Sequence, residues 1–298
     1  MTPSVSLVVC CYNMARELPR TVRSLSPAMQ RGIQSSDYEI IVVDYGSTEP
    51  FDERACRQWG ADVRVIRIPR EVASQSPAEA MNLGIAQAQG ALVGAIIDGA
   101  RMASPALLSR AVAAARLHTR PMIGTIAFHL GPAAQMQSVQ RGYDQSVEDK
   151  LLGQSGWEAD PYSLFSMSAL AGSSAGGWFE LPAECNALFL RADHWRELGY
   201  FDTRFKSPGG GLVNLDMWSR VCADQTGELI MLLGEATFHQ FHGGVSTNNP
   251  VDPFEQFHEE YVRIRGASYR RPTRKPLYFG SLSGAVRSTL KQPMIQVR

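Results

Sequence analysis

The chain has 298 residues, of which 44% are hydrophobic and 19% charged, enough for one large α/β domain with a substantial core. Its 29 basic and 29 acidic residues cancel, so nothing draws it generally toward nucleic acid, and no nucleic-acid partner is expected. No apolar run approaches the roughly 20 residues that span a bilayer, and the amino terminus lacks a basic region followed by an apolar core, so a soluble, cytoplasmic protein is expected.

Ser4 to Cys11 is mostly apolar and breaks at Tyr12-Asn13, which reads as a buried strand with a polar end. Leu18, Val22 and Leu25 then recur at helical spacing within Arg16 to Leu25. Ile40 to Val43 forms a second strand, buried on both faces, that stops abruptly on Asp44 before the turn residues Gly46-Ser47-Thr48. Strand, helix, strand predicts a parallel, right-handed unit, half of a nucleotide-binding sheet whose ligands lie at the strand ends. Strand signals recur near Val63 and over Ala91 to Ile97, the latter ending at Asp98. An alanine-rich helix over Leu107 to Leu117, a strand over Met122 to His129, a glycine- and aromatic-rich loop region and a strand over Glu228 to Leu233 follow.

These strand ends, with Leu18, Ser24-Leu25, Asn82-Leu83-Gly84, Ala88-Gln89-Gly90, Glu184 to Phe189, Gly199-Tyr200-Phe201-Asp202 and Asp216 to Arg220, make the chain resemble the family 2 glycosyltransferases over roughly residues 4 to 245. The resemblance implies an α/β fold of the GT-A type, a Rossmann-like, mostly parallel sheet flanked by helices with an acceptor-side extension. It implies an inverting transfer of a sugar from a nucleotide diphosphate sugar, UDP- or dTDP-linked, to a hydroxyl of a glycan, lipid-linked or small-molecule acceptor. On this reading residues 1–105 are the nucleotide-sugar-binding half, 106–248 the acceptor-binding and catalytic half, and 249–298 a helical, basic tail.

In such enzymes the aspartate at the second strand end accepts a hydrogen bond from the pyrimidine, which implies that role for Asp44, with Cys11, Tyr12 and Asn13 as the other wall. Gly46, Ser47, Asn82, Asp98 and Gly99 complete the implied donor site. Relatives hold a divalent cation, Mn²⁺ or Mg²⁺, on an Asp-x-Asp turn. Here the turn is Asp98-Gly99-Ala100, so one carboxylate is missing. A single carboxylate can still hold a hard cation if donor phosphate oxygens complete its shell. His239 or His242 could add a ligand after the late strand; in extended chain, residues three apart face opposite ways, so only one of the two is expected to enter the site. The glycines beside His242 suit close backbone approach to a ligand.

The implied general base lies in an acidic motif opening a helix after a glycine-rich loop. Asn214 stands at the usual aspartate and cannot accept a proton, which leaves Asp216, with Glu184 as its competitor. Trp178 is expected as an aromatic platform for the acceptor beside Asn214. Tyr261 to Lys275 carries six basic and no acidic residues, and either touches anionic lipid or a phosphate-bearing acceptor or is a solvated helix end running into Pro272 and Pro276. Five cysteines without metal spacing read as reduced, buried thiols. A nucleotidyltransferase and a catalytically silent nucleotide-sugar-binding module remain as alternatives. The first normally needs a glycine-rich, basic loop after the first strand, which Tyr12-Asn13-Met14-Ala15 lacks.

Overall fold

A computed structural model of the chain describes residues 2–245 and 253–291. Ten strands build one sheet: β1 (Val5–Cys11), β2 (Tyr38–Tyr45), β3 (Val63–Ile68), β4 (Leu92–Ile96), β5 (Arg101–Ala103), β6 (Pro121–Leu130), β7 (Ser168–Leu170), β8 (Leu188–Arg191), β9 (Glu228–His239) and β10 (Leu277–Gly280). The order is β10-β9-β6-β8-β4-β1-β2-β3, with β5 paired to β9 and β7 to β6. β1, β2, β3 and β4 run parallel, as do β6, β9 and β10, whereas β8 joins the two groups antiparallel to both β4 and β6.

Every residue of β1 and β2 is buried, the outcome expected of unalternating apolar runs. The pleat sends successive side chains to opposite faces, so Val8, Ile41 and Val43 enter one core cluster while Leu7, Val9, Ile40 and Val42 enter the other. Helices cover both faces: α1 (Glu17–Ser24), α2 (Glu53–Arg57), α3 (Ala78–Ala86), α4 (Leu107–Ala114), α5 (Gln135–Val139), α6 (Gln145–Ser155), α7 (Ala192–Glu197), α8 (Val213–Ala223), α9 (Phe254–Arg265) and α10 (Gly284–Arg287). None is long and apolar enough to cross a membrane.

Two features depart from the sequence reading. The late strand does not stop at Leu233 but passes through a bulge at Gly234, whose φ is +83°, and runs on to His239. Residues 277–280, in the tail, add a parallel edge strand beside β9. The boundary expected between residues 248 and 249 lies outside the described residues.

Candidate active site

A cleft of about 760 Å³ opens where β1, β2, β4 and β9 end, the crevice expected for ligands in an α/β sheet. One wall is Cys11, Tyr12 and Asn13 together with Tyr45 and Gly46. Asn13 adopts a left-handed backbone, φ 51°, and its side-chain oxygen accepts from the backbone N–H of Thr48 at 2.8 Å and of Glu49 at 3.2 Å. The Ser47 hydroxyl accepts in return from the Asn13 N–H at 2.9 Å, so the loops after β1 and β2 are sewn into one surface. Tyr12 presents its ring there, 51% exposed.

Asp44 pairs in register with Cys11 but is 4% exposed and outside the cleft lining. Its oxygens accept from Arg67 at 2.6 Å and from the Ser47 N–H at 3.3 Å, so Asp44 and Ser47 shape the turn whose Tyr45 and Gly46 face the cleft. Gly46 needs its φ of +79°, and a Cβ there would lie 2.7 Å from that of Ala73. Gly99 stands behind the wall, where a Cβ would come within 2.9 Å of the Cys11 Cβ and its carbonyl accepts from Thr21 at 2.7 Å. Asn82 is a correction: it lies away from the cleft, exchanging two hydrogen bonds, 2.8 and 2.9 Å, with the Phe201 backbone. A paired amide on α3 latches the 199–202 loop instead of meeting a donor.

Asp98, His239 and His242 converge, each with a ligand atom within 4.8 Å of the others. His239 Nε2 lies 2.8 Å and His242 Nε2 3.4 Å from the same Asp98 oxygen, and the two imidazole nitrogens are 3.2 Å apart. This corrects the expectation that one histidine would turn away: β9 ends at His239, and the chain turns through Gln240 and Phe241 so that His242 comes back. Gln135 on α5 sets the chemistry. Its side-chain nitrogen donates to the His239 carbonyl at 3.0 Å, so its oxygen, 2.6 Å from His239 Nδ1, accepts a proton there. His239 Nε2 therefore offers a lone pair toward a carboxylate, an arrangement that repels itself until a cation or a proton occupies the centre.

Burial opposes the charge on Asp98, yet His242 and His239 outweigh it and hold the carboxyl well below its usual range. Burial lowers His239 to about 4, whereas for His242 the Asp98 charge prevails over burial and raises it. Two imidazoles and one carboxylate suit a divalent cation whose remaining positions are filled by oxygen ligands. The site also contains Arg101, which the sequence reading does not single out: it lines the cleft with its guanidinium 3.7 Å from Asp98. Its position three residues after Asp98 was the available signal. For Gln135, 104 residues before His239, there was none.

The two candidate bases separate clearly. Glu184 lines the cleft half-buried, and among the described residues its carboxylate accepts from the amides of Asn214 at 3.0 Å and Asn186 at 3.4 Å. Asp216 is a correction: it is 1% exposed and outside the cleft, and it accepts from Arg220 at 2.9 Å and twice from Arg265, at 2.5 and 2.7 Å. A carboxylate buried outside the cleft and enclosed by two guanidiniums is out of reach of a substrate hydroxyl. Trp178 is also corrected. It is 4% exposed, packs against Phe128 and Phe165 at 6.0 Å, and donates to Thr289, so no ring face is open to a sugar.

The basic tail is partly used internally. Arg265 neutralises Asp216 and Asp202, Arg271 donates to the Leu181 carbonyl, and Arg274 to those of Asp224 and Gly227. All five cysteines are buried and unbridged.

The family described as Glycosyl transferase family 2 matches residues 6–170. Among solved structures, the fold is similar to Staphylococcus aureus TarS at 17% identity and a TM-score of 0.54, covering 90% of this chain and 40% of that one. The 1–349 portion of TarS matches in complex with UDP, TM-score 0.51, and with UDP-GlcNAc, TM-score 0.52, each at 17% identity and 90% coverage of this chain, against 67% and 68% of those chains. The chain thus spans about two fifths of the length of full TarS. Comparison with curated proteins returns no match.

Proposed function

The chain belongs to glycosyl transferase family 2, and from that premise we propose that it transfers a sugar from a nucleoside-diphosphate donor to an acceptor hydroxyl with inversion. The carrying observation is that one cleft joins a nucleotide-sized wall at Tyr12 and Tyr45-Gly46, a cation-ready triad at Asp98, His239 and His242, and the amide-held carboxylate of Glu184. The fold neighbour captured with UDP makes uridine-linked donors the first to test, with thymidine-linked ones beside them.

Tyr12 supplies a ring face for the base, and the Gly46 turn lets the backbone come close. A divalent cation on the triad, Mn²⁺ or Mg²⁺, would offset charge on the departing diphosphate. Glu184 takes the proton as the acceptor oxygen bonds to the anomeric carbon and the sugar–phosphate bond breaks, releasing the nucleoside diphosphate. Asn186 and Asn214 hold Glu184 in place without neutralising it. Burial raises the Cys185 thiol to about 12 and pushes Cys10 and Cys11 up as well, so none offers a thiolate for a covalent intermediate. The acceptor, whether glycan, lipid-linked or small molecule, meets the Glu184 side.

A panel of UDP-, dTDP- and GDP-sugars with each acceptor class, run with Mn²⁺ and with chelator, tests this reading. We expect acceptor-dependent release of nucleoside diphosphate, suppressed by chelator. Asn214 at the usual base position favours a second reading, a silent binding module. Tight nucleotide binding with no release from any donor would select it.

A further inference from the structure

We propose that Arg101 is the anion receptor of the cleft, gripping the donor diphosphate beside the cation and raising the net charge of the cation-loaded site from one positive to two. The inference deepens the donor reading above and rests on it.

Arg101 is 6% exposed, yet it lines the cleft. Its Nε and Nη1 are buried and have no hydrogen-bond partner among the described residues, and the Asp98 carboxylate stands at 3.7 Å, beyond hydrogen-bond reach. A buried guanidinium left this way is costly, and it is held in place because β5 pairs Arg101 directly with His239 of β9. Asp98 cannot turn to satisfy it, since that carboxylate already faces both histidines. Nε and Nη1 find no acceptor among the described residues while Arg101 borders the cleft, and a planar fork of N–H donors matches paired phosphate oxygens.

The charges agree. A divalent cation, the Asp98 carboxylate and Arg101 sum to two net positive charges, and the diphosphate bridge of a nucleotide sugar carries two negative ones. When the sugar–phosphate bond breaks, the diphosphate gains a further negative charge. A fixed, buried guanidinium favours that state over the bound donor.

Titration calorimetry on the whole chain tests this with Mn²⁺ alone and with inorganic pyrophosphate in the presence of Mn²⁺. For Arg101→Met we expect pyrophosphate affinity to fall roughly 10- to 100-fold, while affinity for Mn²⁺ alone rises a few-fold because a like charge beside Asp98 is gone. Opposite signs distinguish a lost receptor from a damaged fold. Arg101→Lys keeps the charge and loses the fork, so it should bind pyrophosphate between parent and Arg101→Met, and it carries the test if the methionine variant fails to fold. Parent-like pyrophosphate affinity in both variants, or a parallel loss of both ligands, would overturn the role of Arg101 alone. A parent chain that binds neither pyrophosphate nor UDP with Mn²⁺ would overturn the donor reading and this inference together.

Discussion

Asp98 and His239 are 141 residues apart in the chain and 2.8 Å apart in the cleft, and their partnership depends on Gln135 fixing which imidazole nitrogen carries the proton. Gln135→Leu removes both hydrogen bonds at similar volume. Mn²⁺ affinity should fall about 10- to 100-fold, with ¹⁵N spectra showing that His239 no longer keeps a single tautomer. Parent affinity in that variant would show that the triad orients itself. At the base, Glu184→Gln should cut transfer by roughly 10² to 10⁴ while donor affinity stays near normal. Asp216→Asn should instead lower stability, by about 1–3 kcal/mol, because its arginines lose their charge partner. A parent-like rate for Glu184→Gln would remove it as base. That Asp98 and either of the two histidines could meet at a strand edge was legible, because strand ends and a glycine-flanked turn mark them. Which of the candidate residues face the cleft was not. Asp216, Asn82 and Trp178 satisfy the motif in sequence, but Arg265, the Phe201 backbone and Thr289 claim them in space.

Among the elements, α6 holds the turn that carries the second histidine of the triad. Its Glu148, fully buried, accepts from the Phe241 N–H at 2.7 Å, and Arg16 at the foot of α1 joins the same carboxylate at 3.2 Å while donating to the Phe241 carbonyl at 3.0 Å. The turn between the two histidines is thus clamped from two helices. Burial raises Glu148 to about 7, despite the Phe241 N–H and Arg16. Since its folded value lies above the ordinary carboxyl value of 4.5, the native chain binds the extra proton, and this contribution is complete below about pH 4.5 and lost as pH rises through 7. Denaturant melts across that window should show parent stability falling relative to Glu148→Gln, by on the order of 1–3 kcal/mol. Equal slopes would mean that Glu148 stays ionised in the fold. The strands and helices of the first half were legible from unbroken apolar runs and helical spacing. The extension of β9 was hidden by Gly234, which reads as a strand end and acts as a bulge.

For the molecule as a whole, one sheet joins the Tyr12 and Gly46 wall, the triad and the candidate base, because β8 bridges two parallel groups and β9 delivers His239 to the cleft. The tail is built into that body through β10 and through arginines spent on buried carboxylates and carbonyls, contacts that no charge pattern reveals in advance. On the proposed reading, cation and donor diphosphate occupy this cleft together. Mn²⁺ titrated into the chain, with and without saturating UDP, dTDP or GDP, measures it directly. We expect weak Mn²⁺ binding to the empty cleft and at least about tenfold tighter binding with the matching diphosphate, reciprocated by the same factor in nucleotide affinity. Nucleotide affinity indifferent to Mn²⁺, with full transfer in chelator, would contradict it.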